Sequence, residues 1–247
     1  MTDAPLVLRE RLLEAPWARD LAGPQVARVA KETLLVHHAS GSVICREGEP
    51  ALHWIGVIDG MVKVDTVSAE GRSTTFIGVS SGGWLGEGSL LKRERRHYEV
   101  VALRDSWIAL VPLETFTWLF ETSLTFNHFL VHQLNARLGQ FVAVVESCRI
   151  QTTTAQVAVC LAGLFNRELS PQAPNVLKIS HEELARLCGL SRQVAGRALH
   201  ELEQAALVKM QYGVIRVLDV DALHAFARSG ELHTDSSPAR SRGLPSP

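Results

Sequence analysis

Ser191, Arg192, Gln193 and Arg197 are the residues whose types and spacing point most directly to chemistry. They lie in the stretch Leu177 to Leu202, LKISHEELARLCGLSRQVAGRALHEL. A guanidinium donates two hydrogen bonds to the O6 and N7 of guanine, and a glutamine amide pairs best with adenine. Arg192, Gln193 and Arg197 on one helix face, two of them in its first turn, suit base edges in a DNA major groove. Two short helices must hold them there. Ser180 and Glu183 form a capping-box pattern that starts the first helix. Leu184, Ala185 and Cys188 share a face, and Gly189 follows as a left-handed cap. Ser191 caps the second helix, which buries Ala195, Ala198, Leu199 and Leu202. Alanines at 185, 195 and 198 let the two helices cross closely. The pattern is a helix-turn-helix, although a hairpin that serves packing alone shares parts of it.

Neighbouring segments extend that reading. Leu207 to Leu218 alternates as two short strands about Tyr212-Gly213, a wing hairpin. Asp219 to Ala227 reads as a closing helix. Ser229 to Pro247 is poor in apolar residues and is expected to be a disordered tail.

Whole-chain charge does not announce a nucleic-acid binder. The 247 residues carry 25 Lys/Arg against 26 Asp/Glu. Residues 151–228 hold eight basic and seven acidic side chains. DNA affinity must therefore come from local placement. Four scattered cysteines, none in a CxxC pair, argue against a zinc ribbon or a disulfide scaffold. No basic leader with an apolar run and no 18-residue apolar stretch is present, so the expected location is the cytoplasm, with no membrane partner.

Upstream, residues 1–33 read as helical, with breaks near Pro16 and Gly23-Pro24. Leu6, Leu12, Leu13, Val26 and Val29 are their packing residues. From Leu34 to Pro112 the period changes. The runs LLV, SVIC, WIGVI, MVKV, TFIGV, EVVAL and WIALV are separated by Ser40-Gly41, Glu47-Gly48, Asp59-Gly60, Glu70-Gly71 and Gly82-Gly83. Short strands at about ten-residue spacing predict a β-barrel or jelly roll. Phe116 to Ile150 then reads as helical. Leu134, Leu138, Phe141, Val145 and Cys148 recur at coiled-coil spacing, as a seam either against the chain's own β domain or against a second copy. A two-fold pair would set two recognition helices about 34 Å apart, one DNA turn. Ile150–Thr154 reads as a hinge, and Gln156–Leu169 as a helix ended by Pro171–Pro174.

GSVICREGEPALHWIGVIDGMVKV followed by EGRSTTFIGVSSGGWLGEGSLL resembles the cyclic-nucleotide-binding β-roll. With GLSRQ at Gly189–Gln193 downstream, the chain is similar over roughly residues 20–228 to the bacterial catabolite activator and anaerobic regulator (CRP/FNR) family. The resemblance implies an α+β protein. Residues 1–115 would be an effector-sensing β-roll with N-terminal helices, 116–150 a dimerisation helix, and 151–228 a winged helix-turn-helix. It implies a homodimer on double-stranded DNA, with RNA polymerase as a further partner and no enzymatic activity.

It also implies a ligand pocket. In cyclic-AMP-binding relatives a Gly-Glu pair meets the ribose, and an arginine followed by Ser or Thr holds the phosphate. Gly86, Glu87 and Gly88 match the first motif. The second is altered to Arg95-Arg96-His97-Tyr98-Glu99. Ungapped comparison puts His97 in the arginine's place, and a one-residue shift offers Arg96. That shift is expected to turn neighbouring residues to the wrong face. Phe141 and Val142 stand where relatives offer hydroxyls to the base. Cyclic AMP is therefore not the expected effector; another cyclic nucleotide, a small anionic ligand of another shape, or a pocket that has lost its ligand all stay open. Arg93, Arg95 and Arg96 can equally form a solvated basic turn.

Other chemistries have less support. No cysteine precedes Cys45, so an iron–sulfur cluster is not expected. Ten histidines leave haem ligation open. His37 and His38 are adjacent, would face opposite sides of a strand, and cannot share a metal. No Ser-His-Asp or P-loop pattern occurs. Two classes compete: an effector-responsive DNA-binding regulator, and a ligand-sensing or metal-binding β-roll whose C-terminal helices serve assembly only.

Overall fold

The computed structural model describes residues 4–67, 73–150 and 152–229. The Leu6 side chain, the Glu70-Gly71 turn, Gln151 of the expected hinge and the tail from residue 230 lie outside it. The chain opens with α1 (Ala4–Leu13), α2 (Pro16–Arg19) and α3 (Gly23–Glu32). Pro16 is the first residue of α2 and Pro24 the second of α3, within the first turn where a missing N–H costs nothing. Seven of the strands that follow match the apolar runs: β1 (Leu34–His38), β2 (Val43–Cys45), β3 (His53–Asp59), β4 (Met61–Val67), β5 (Ser73–Ser80), then β7 (Glu99–Ala102) and β8 (Ser106–Pro112). Between β5 and β7 lie β6 (Trp84–Leu85) and α4 (Glu87–Lys92), too short for a periodicity to reveal. Two antiparallel sheets result, in the orders β1-β8-β3-β6 and β2-β7-β4-β5.

An aromatic cluster fastens helices to the first sheet. Trp54 and Trp84 lie 4.2 Å apart, and Trp17 meets Trp84 edge-on at 5.0 Å. All three are fully buried. Gly56 makes this possible, because a Cβ there would sit 2.6 Å from the Trp84 ring.

The helical region after β8 is two helices, α5 (Leu113–Thr122) and α6 (Leu124–Ile150). Then come α7 (Thr153–Leu164), β9 (Val176–Leu177), α8 (His181–Leu187), α9 (Arg192–Gln204), β10 (Val208–Gln211), β11 (Val214–Val217) and α10 (Val220–Ser229). Two expectations are corrected. The helix placed at Gln156–Leu169 starts and ends earlier, and proline does not end it. Asn166 does: its Oδ1 accepts from the backbone N–H groups of Glu168 and Leu169, turning the chain before Pro171. The wing is three-stranded, since β9 pairs with β11.

The C-terminal helices dock on the second sheet of their own chain. Gly78 of β5 faces Leu164 of α7 and Leu187 of α8, with no room for a Cβ. An ion pair clasps the same junction. Arg104, in the β7–β8 turn, donates from Nη1 and Nη2 to the two carboxylate oxygens of Glu183 at 2.9 and 3.0 Å. Its Nε donates to the carbonyl of Lys178. Glu183 therefore both completes its capping box and grips the β domain. Burial pushes its carboxyl pKa up, but bonds from Arg104 and Ser180 outweigh this and hold it at about 2. A carboxylate depressed on folding contributes stability above its ordinary value of 4.5, lost as pH falls through about 2. Arg104→Ala should therefore lower the thermal midpoint near neutral pH, with the gap from wild type closing as pH drops from about 4.5 towards 2. A gap of constant size across that range in calorimetry would show that Arg104 acts through packing instead.

Candidate effector pocket and DNA-reading face

The DNA-reading face is built as its caps prescribe. Ser180 Oγ accepts from the Glu183 N–H at 3.2 Å, and Glu183 Oε2 accepts from the Ser180 N–H at 2.9 Å. Gly189 takes φ +66°, the left-handed turn that reverses the chain between α8 and α9. Ser191 Oγ then accepts from the Val194 N–H at 3.3 Å and starts α9. Ala195, Ala198, Leu199 and Leu202 are buried, and Ser191, Arg192, Gln193 and Arg197 are exposed. Among the described residues, the side chains of Arg192, Gln193 and Arg197 make no hydrogen bond or ion pair.

The wing adds basic residues that the sequence reading passed over. Lys209 of β10 lies directly opposite Arg216 of β11, and both are exposed. Their place as a cross-strand pair follows from the register about Tyr212-Gly213. Like charges set face to face are unfavourable until an anion sits between them. The wing is tied to the recognition helix where Glu203 Oε1 accepts from the Met210 N–H at 2.8 Å.

The candidate effector residues Glu87 and Arg96 are buried inside the β-roll. Gly86 has φ +95°, and a Cβ there would stand 2.6 Å from Nη1 of Arg96, so the missing side chain makes room for a guanidinium. Arg96 is 4% exposed and donates from Nη2 to the His53 carbonyl at 2.5 Å. Its Nη1 and the Oε2 of Glu87 are buried with no hydrogen-bond partner. Arg137 of α6 enters beside them, donating to the Trp84 carbonyl at 3.2 Å and to Gln140 Oε1 at 3.0 Å. Burial pulls its guanidinium below the usual range, while the Glu87 charge opposes the shift. Burial, reinforced by Glu87, pushes the Tyr98 phenol up to about 12.

The structure thus brings Gly86, Glu87 and Arg96 together. His97 is corrected: it is exposed and pairs with Glu94 at 3.2 Å, outside the pocket. Gly88 also faces solvent, and Phe141 lies on the exposed side of α6. Arg96 needs no register slip, contrary to expectation. Its N–H donates to the Glu49 carbonyl, its own carbonyl accepts from Gly48, and β7 begins only at Glu99. Strand alternation therefore does not run through position 96. Arg137 was missed. The signal for it was a second stripe on α6, Phe126, Leu130, Gln133, Arg137, Gln140, Val144 and Ser147, whose polar members disguise a face that is buried or half-buried.

Comparison with known proteins bears on both halves. Residues 35–123 match the cyclic nucleotide-binding domain model, and residues 155–226 match the Crp-like helix-turn-helix domain. The chain belongs to the CRP/FNR family of transcription regulators. It is 27% identical to the transcriptional regulator SdrP of Thermus thermophilus, over 78% of this chain and 94% of that protein. It is 26% identical to the cyclic AMP receptor protein of the same organism, over 77% and 86%. Among solved structures, the CRP/FNR regulator TTHA1359 of T. thermophilus aligns at TM-score 0.57 and 26% identity, over 79% of this chain and 99% of that one. FixK2 of Bradyrhizobium japonicum shares the fold at TM-score 0.64 and 18% identity, over 78% and 96%. The helix-turn-helix is thus a DNA-binding element of a regulator family, and the assembly-only alternative is not favoured. Among the described residues no helix is long and apolar enough to cross a membrane.

The paired wing charges generate a test with two readings. Lys209→Gln should stabilise the free protein by up to about 1 kcal/mol, the scale of a cross-strand pair. It should also weaken DNA binding evenly across sequences and cut the salt slope by about one. A destabilised variant with an unchanged salt slope would place Lys209 off the DNA.

Proposed function

We propose that this regulator is a two-fold dimer that reads a specific operator and is switched by a small phosphorylated ligand in the β-roll. The observation that carries the ligand is the pair of orphaned polar atoms, Glu87 Oε2 and Arg96 Nη1. A buried carboxylate oxygen asks for a hydroxyl donor and a buried guanidinium N–H asks for an anion. A phosphorylated sugar offers both. Arg137 would stand beside it and link it to α6. Residues 1–115 then act as the sensor, 116–150 as the dimer helix and 151–228 as the DNA-binding unit, with RNA polymerase as a further partner.

The dimer reading rests on α6. Val131, Leu134, Leu138, Phe141, Val142 and Val145 form an exposed apolar stripe, between 38% and 64% exposed, and exposed Cys148 continues it. A stripe at this spacing fits a second copy. In that dimer Phe141 and Val142 would lie at the ligand's outer end, where they offer no hydrogen bond to a purine. Cyclic AMP is accordingly not the preferred ligand. One solved structure of the same fold is described as a cyclic-di-GMP-responsive regulator of Xanthomonas campestris. Cyclic di-GMP therefore belongs in the test set.

Arg192 and Arg197 are assigned to guanines, and Gln193 to a neighbouring base. Arg192→Ala should cost about 1–3 kcal/mol on the operator and little on random duplex, measured by fluorescence anisotropy. Equal losses on both would reduce Arg192 to a phosphate contact. For the pocket, isothermal titration with cyclic AMP, cyclic GMP and cyclic di-GMP should find that Arg96→Ala weakens whichever binds by tenfold or more, since a hydrogen bond to a charge is worth ~1.5–3 kcal/mol. A tight cyclic AMP constant that survives Arg96→Ala would remove the phosphate assignment.

A further inference from the structure

The recognition helix α9 carries a glycine that the protein itself does not need. Gly196 stands in the interior of α9, and glycine is the poorest helix former after proline. Other glycines of this fold have internal reasons. Gly56, Gly78 and Gly163 lie against side chains that a Cβ would strike, and Gly189 takes a left-handed φ. Gly196 has neither reason. Its φ is not left-handed, and a Cβ built there would meet no atom beyond its own stretch of helix within 4 Å. Alanine would fit and would make α9 more stable. Gly139 of α6 is equally open, and it stands beside Leu138 of the apolar seam.

What surrounds Gly196 is the reading face. Arg192 lies one turn before it and His200 one turn after, with Gln193 and Arg197 alongside, and all four are exposed. Ala195, Ala198, Leu199 and Leu202 hold the other side of α9 in the core. The gap at position 196 is therefore open to whatever the face reads. It is one methyl group in size, and its wall is a bare Cα that offers no ordinary hydrogen bond. In the major groove the edges of guanine, adenine and cytosine ask for hydrogen bonds, and thymine alone presents a methyl group. We propose that Gly196 is a specificity-determining residue whose bare Cα receives the C5 methyl of one thymine in the half-site. This adds a base to those assigned to Arg192, Gln193 and Arg197, and it rests on the operator reading of α9. A side chain at 196 would take the methyl's place. The stability that α9 gives up by carrying glycine is then the consequence of a contact made only with DNA.

The test adds a methyl to the protein and removes one from the DNA. Full-length protein, alone and with cyclic AMP, cyclic GMP or cyclic di-GMP, selects its operator from random duplexes. Wild type and Gly196→Ala are then compared by thermal melting and fluorescence anisotropy. The variant should melt a few degrees higher. On the operator it should bind about tenfold more weakly or worse, the scale of one misread base pair, and on random duplex as wild type does. Thymines of the operator are next replaced, one position at a time, by deoxyuridine, which lacks only the methyl. At one position of the half-site the replacement should weaken wild type and bring Gly196→Ala back to the affinity of wild type on the same duplex. Such compensation arises only where the two methyl groups share one place. An operator affinity unchanged by Gly196→Ala overturns the slot, and so does a loss that no deoxyuridine position restores. A variant that melts below wild type would show that Gly196 serves the fold instead. A wild type that selects no sequence sinks the operator reading itself, and the slot with it.

Discussion

Charge buried without enough partners is the constraint on which the rest of this structure depends. Glu87 and Arg96 are almost wholly inside the β-roll, and each retains an unsatisfied atom. Desolvating such groups is costly unless hydrogen bonds replace the lost water. The fold meets part of the need with backbone carbonyls, from His53 to Arg96 and from Trp84 to Arg137. Much of the surrounding sequence follows. Position 86 has to be glycine, because any Cβ would displace the Arg96 guanidinium. Position 56 has to be glycine so that Trp84 can lie against β3 and offer its carbonyl from a fixed place.

Arg137 carries that constraint out of the β-roll. It sits on the inward stripe of α6, and the outward stripe of the same helix is the exposed apolar seam. A change at the pocket and a change at the seam are therefore changes in one rigid helix. At its far end α6 meets α7, whose Thr152 cap and Thr154–Glu201 contact lead into the DNA-binding helices. Arg104 and Glu183 join the β-roll to α8 by a second route. Two separate connections thus run into the helix-turn-helix, one to Glu201 of α9 and one to Glu183 of α8. A ligand that moves either can shift the helix only by favouring one arrangement over another, to the extent of its differential affinity.

What was legible in the sequence was what local rules govern. The Ser180–Glu183 box, Gly189, Ser191 and the alanine face of α8 and α9 are decided within a few residues, and each stands where the sequence puts it. The apolar runs of the β-roll are legible for the same reason. The failures share a cause as well. β6 and α4 are too short for periodicity. Arg96 was tied to a register shift it does not need, because it lies in a segment before β7 where alternation does not apply. Arg137 was overlooked because a half-buried arginine looks like a surface residue until its partners are known. Cys148, Cys160 and Cys188 read as scattered because α6, α7 and α8 bring them around one cavity only in three dimensions.

The central claim, that the β-roll of a paired molecule is completed by a phosphorylated ligand, can be read in one measurement. Native mass spectrometry would be run on wild type and Arg96→Ala after incubation with the small-molecule fraction of a bacterial extract. The account predicts a mass of two chains carrying one small phosphorylated molecule per subunit, and a bare two-chain mass for the variant. Single chains, or an adduct that Arg96→Ala retains, would contradict it.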